Sequence, residues 1–155
     1  MSRTPIAGLV ALAGFAAAAA LILARRFYGA LAGVDLLWSM PLWIVAAVCL
    51  FAAFMVRKRR EEGKVGLDRS QLNPMMAANF MLLGKASAWA GAICGGVFLG
   101  LAVYVLPRAG NLVAAEADLP GVVSGVLGGL ALSIAGVVLE RSCEVSPPGD
   151  GEAVK

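Results

Sequence analysis

The residues able to do chemistry are few and scattered. The chain has no histidine, which removes the commonest metal ligand and the commonest acid–base group near neutral pH. Its three cysteines, Cys49, Cys94 and Cys143, stand far apart with no C-x-x-C spacing. Two lie inside apolar runs and read as small packing residues; the third lies in the C-terminal tail. This pattern is neither a disulfide framework nor a zinc site. No acidic or basic side chain lies deep within an apolar run, and no carboxylate pair, Ser/His/Asp set or phosphate-cradling loop can be assembled. The glycines of the runs lack the strand-to-helix setting of a nucleotide site. The expectation is a chain that is not an enzyme by itself and holds no cofactor or metal.

Four groups of residues remain as candidates. Arg57-Lys58-Arg59-Arg60 abuts an apolar run and reads first as a topology anchor. Its second reading is a contact to anionic lipid, at about 1 kcal/mol per basic residue near a charged leaflet, weakened by Glu61 and Glu62. Lys85 opens one run and Glu140-Arg141 closes the next. In a helical hairpin they reach the same depth, so a Lys85–Glu140 pair is one reading and a snorkelling lysine the other. Gly91/Gly95 and Gly96/Gly100 form two G-x-x-x-G pairs, and Gly121, Gly125, Gly129 and Ser133 form a tandem series. Small residues four apart let helices approach closely in lipid, within this chain or toward a partner. Asn73-Pro74 has the form of an N-cap followed by a first helical residue.

These positions need helices to hold them. Of 155 residues, 60% are hydrophobic, against about half in a soluble domain, and the mean hydropathy is +0.83. A bilayer accommodates that excess. Apolar runs of spanning length occur at about 5–24, 36–56, 86–106 and 119–139. The first has no clear cleavage site after it and reads as a retained span. Pro41 lies in the first turns of the second. The helix pattern from Met75 to Leu106 would extend about 48 Å, beyond the ~30 Å hydrocarbon core. Its first turns, with Met76, Phe80 and Leu83 on one face, therefore lie along the interface or pack on other helices. Asp118 reads as the N-cap of the last span, with Pro120 in its first turn. The segment 57–74 reads as a solvated loop and 142–155 as a disordered tail. The fold class is all-α: a single membrane domain over 1–155, with four transmembrane helices in two hairpins.

Charge sets the expected orientation. The termini and central loop share one side, with Arg3, Arg57, Lys58, Arg59, Arg60, Lys64, Arg69, Lys85, Arg141 and Lys155; the other side has Arg25, Arg26 and Arg108. Ten against three places both termini in the cytoplasm of a multi-pass cell-membrane protein. Arg25-Arg26 is a local conflict that the larger central cluster overrides. The pI of about 9.0 then reflects loop placement, and nucleic acid is not an expected partner.

The stretch Leu72 to Gly96 carries L-N-P at Leu72-Asn73-Pro74, the pair Ala77-Ala78 and the K-A-x-A start at Lys85 to Ala88. Leu139, Glu140 and Cys143 follow L-E-x-x-C near the end. In combination these resemble the domain-of-unknown-function-3180 family of small four-span actinobacterial membrane proteins. The resemblance covers most of the chain; Asn79 departs from it, standing where the family pattern has arginine, so a basic juxtamembrane contact is missing. It implies four spans and no assigned activity, with genes that often neighbour folate-pathway genes. The residues themselves lead to a non-catalytic scaffold or accessory subunit with a membrane-protein partner or a second copy. The alternative is a small oligomeric transporter with a polar path along Ser87, Ser124 and Ser133. An enzyme acting on lipid or a pterin-type metabolite comes third.

Overall fold

A chain in lipid must satisfy its backbone within each segment, and the runs of Ala, Leu, Ile and Val do so as helices. The computed structural model of the chain describes residues 4–30, 33, 35–62 and 74–143. Helix α1 is Ile6–Phe27, α2 Met40–Glu62, α3 Pro74–Val105 and α4 Val113–Cys143, with single 3₁₀ turns at Tyr28–Ala30, Leu36–Trp38 and Leu106–Arg108. Four helices are long and apolar enough to cross a membrane.

Successive helices run in opposite directions, and the antiparallel pair α3–α4 inserts between α1 and α2. Helices α3 and α4 form the centre, with α1 chiefly along α3 and α2 chiefly along α4. Close backbone approaches fix the directions. Gly96 meets Ala13 and Gly100 meets Ala17, so α1 and α3 run parallel. Gly84 meets Glu140 and Gly95 meets Gly129, so α3 and α4 run antiparallel. One core joins α2 to α4 through Cys49, Ala53, Val56, Leu132 and Leu139, with Phe80 and Met81 of α3 packed against it. Smaller clusters gather Ala24, Leu101 and Val122 at one end of α1, and Leu9, Ala88 and Ala92 at the other.

Several boundaries differ from the sequence reading. Helix α4 starts at Val113, so Asp118 and Pro120 are inside it. Only Pro120's own missing N–H is lost, and transmembrane helices tolerate that. Asp118 is not a cap, because α4 begins at Val113; its carboxylate accepts a hydrogen bond from Tyr28. Helix α2 continues through Glu62, so Arg57 to Glu62 is helical. Ser142 and Cys143 belong to α4 and are buried. The rest of the tail, and the loop at 63–73 with Asn73, lie outside the described residues. Pro74 is the first residue of α3.

Candidate functional site

The glycines of α3 divide between two neighbours. A Cβ at Gly91 would lie 2.5 Å from the Ser133 nitrogen and 2.9 Å from the Gly129 carbonyl oxygen. One at Gly129 would lie 2.6 Å from the Gly95 nitrogen, and one at Gly84 2.8 Å from the Glu140 nitrogen. This is backbone against backbone, a separation that only glycine on these faces allows. Gly96 and Gly100, one residue further round α3, instead receive the alanines of α1. Gly125 makes room for the Phe98 ring, and Gly121 is buried in α4. The two G-x-x-x-G pairs of α3 are thus faces for different helices of the same chain.

Hydroxyls bind the helices together. Ser133 donates to the Ala88 carbonyl at 3.2 Å, and Cys49 donates to Ser87 at 3.3 Å. The Ser39 and Ser124 hydroxyls lie 2.9 Å apart, and Trp43 Nε1 donates to Ser124 at 3.2 Å. Each serine of the supposed polar path is therefore engaged in a local bond between helices.

Two buried carboxylates mark the ends of the helix layer. At one end Glu140, 2% exposed, accepts from the Thr4 backbone N–H at 3.0 Å and from the Thr4 hydroxyl. That ties the start of the chain to α4. Lys85, half-buried, follows Gly84 at this same level. At the other end Asp118 is buried and accepts from the Tyr28 hydroxyl at 2.8 Å. The Tyr28 ring packs tilted against Tyr104, with the ring centres 4.8 Å apart, and Arg108 lies over the Tyr104 ring, 4.0 Å from its centre. Burial, and the Asp118 carboxylate beside it, push the Tyr28 phenol from 10.0 up to about 12. Both arrangements are hydrogen-bonded locks between helix ends. They lie near opposite ends of α4.

A model of a protein family described as "Protein of unknown function (DUF3180)" matches residues 9–147. The chain belongs to this family. No curated protein and no solved structure matches the chain. In this DUF3180 protein the matched region takes in all of α2, α3 and α4 and most of α1, so the family pattern and the helix layer coincide. Among the described residues no group of His, Cys, Asp and Glu could hold a metal ion.

The structure brings Gly91, Gly95, Gly129 and Ser133 together at the centre, and Gly84, Glu140 and Thr4 at one end. Arg141 is exposed and lines the groove described below. Arg57 and Lys58 are exposed near the end of α2, and Arg59 and Arg60 continue its backbone. Sequence reasoning missed Thr4, Tyr28 and Asp118 as partners. No local signal links residues 90 and 136 positions apart; only the buried acidic residues themselves could have prompted a search for them.

Among the described residues, two exposed surfaces have a distinct character. An apolar groove of about 520 Å³ opens between α1, α3 and α4. On α1, Ala7, Ala11, Gly14 and Ala18 are all exposed, and nothing lies within 4 Å of a Cβ at Gly14. Their spacing puts them on one face of the helix.

Proposed function

We propose that this membrane protein is a non-catalytic accessory subunit that meets another membrane protein, or a second copy of itself, through α1. The exposed stripe Ala7, Ala11, Gly14 and Ala18 carries this reading. Large exposed side chains such as Phe15, Ile22, Phe51 and Phe54 suit lipid tails. A flat face of small residues gains little from lipid and much from close packing against another helix. Only 11% of the α1 span is buried against the rest of the chain, compared with 44% for α4, so α1 has the most surface left to offer. The transporter reading would draw on Ser87, Ser124 and Ser133, whose hydroxyls are already spent between helices.

Affinity purification from mildly crosslinked native membranes tests the reading. The expected result is a stoichiometric membrane partner or a defined homo-oligomer that Ala11→Leu removes. Recovery of monomer alone would sink it.

The same reading places both termini in the cytoplasm, on the strength of the ten-to-three distribution of basic residues. A fluorescent protein fused after Lys155 should then fold and emit, and alkaline phosphatase at the same position should be inactive. An active phosphatase fusion would reverse the orientation.

A further inference from the structure

The groove between α1 and α4 is apolar along its length and charged at one end. Gly95 and Leu99 of α3 floor it, Ile6 and Val10 of α1 form one wall, and Ile134 of α4 the other. The Ser133 hydroxyl that borders it is already bonded to Ala88. From Val126 to Arg141 the lining runs along about 22 Å of α4 at 1.5 Å per residue. That exceeds one leaflet's share of a hydrocarbon core about 30 Å thick.

Arg141 closes the groove. It is exposed and has no hydrogen-bond or ion-pair partner among the described residues. Its guanidinium keeps its charge and presents a fork of donors that matches phosphate. The adjacent Glu140 is buried and directed at Thr4, so it is turned away from an anion at Arg141.

The occupant must therefore be thin, apolar over more than a leaflet's depth and anionic at one end. The geometry points to a bound anionic phospholipid, with one acyl chain in the α1–α3–α4 groove and its phosphate on Arg141. The cavity of about 520 Å³ falls within the range of about 300–1,000 Å³ that encloses small ligands. This site is separate from the Ala7–Ala18 stripe and stands whether or not that stripe binds a partner.

Native mass spectrometry of the full chain released from vesicles of equal phosphatidylglycerol and phosphatidylcholine reads the site directly. The expected result is one retained phosphatidylglycerol per chain, favoured about fivefold over phosphatidylcholine, as about 1 kcal/mol for one basic residue gives. Arg141→Gln should bring the two lipids to parity and Arg141→Lys should keep most of the preference. Filling the groove with Val10→Trp and Ile134→Trp, both exposed positions, should remove the retained lipid of either kind. Equal retention by the unaltered protein, or a preference that survives Arg141→Gln, would overturn the proposal. So would groove-filling variants that keep their lipid and turn a dimer into a monomer, which would assign the groove to a second copy.

Discussion

At the scale of single residues, contact distance decides which glycines matter. Gly91 faces backbone atoms that cannot move aside, so Gly91→Ala forces the α3–α4 seam apart. Overpacking of this kind costs about 1–3 kcal/mol. Gly14 faces open space, and Gly14→Ala should change stability by less than about 0.5 kcal/mol. Thermal unfolding in mild detergent, followed by size exclusion, would separate the two; equal effects would contradict the seam described here. Part of this was legible in the sequence. The G-x-x-x-G spacing announced close helix approach, yet Gly91/Gly95 and Gly96/Gly100 look alike as strings. Their assignment to α4 and α1 depends on a rotation of one residue around α3, which spacing alone does not fix. The carboxylates were harder still. Asp118 beside Pro120 imitates a helix start, and only the Tyr28 hydroxyl, brought from another helix, reveals its role.

At the scale of elements, hydropathy revealed every helix and misplaced some of their ends. The four spans follow from apolar length, but polar helix ends are invisible to that criterion. Arg57 to Glu62 extends α2 as helix, and the exposed Arg57 and Lys58 reach water without breaking backbone bonds. Residues 113–118 extend α4 for a similar reason: Glu116 favours a helical first turn although it lowers the hydropathy. The unbroken pattern from Met75 to Leu106 was a sound guide, because α3 runs uninterrupted from Pro74 to Val105. Its early turns place Phe80 and Met81 against the α2–α4 core, whereas Leu83 remains exposed.

At the scale of the whole molecule, the order of the helices governs what the protein can do. Inserting α3 and α4 between α1 and α2 gives the central helices two neighbours and leaves the outer ones half open. Polar groups are spent on holding this layer together: Thr4 on Glu140 at one end, Tyr28 on Asp118 at the other, and serines in between. That use of hydroxyls and carboxylates directs attention to the lateral surfaces. The small-residue face of α1 is the one least suited to remain against lipid. Single cysteines at Ala7, Ala11, Gly14 and Ala18, with Phe51 on the outer face of α2 as control, would be crosslinked in native membranes. The account predicts strong crosslinks to one defined product from the four α1 positions and none from Phe51. Crosslinks that are absent on α1, or equally frequent at Phe51, would contradict it.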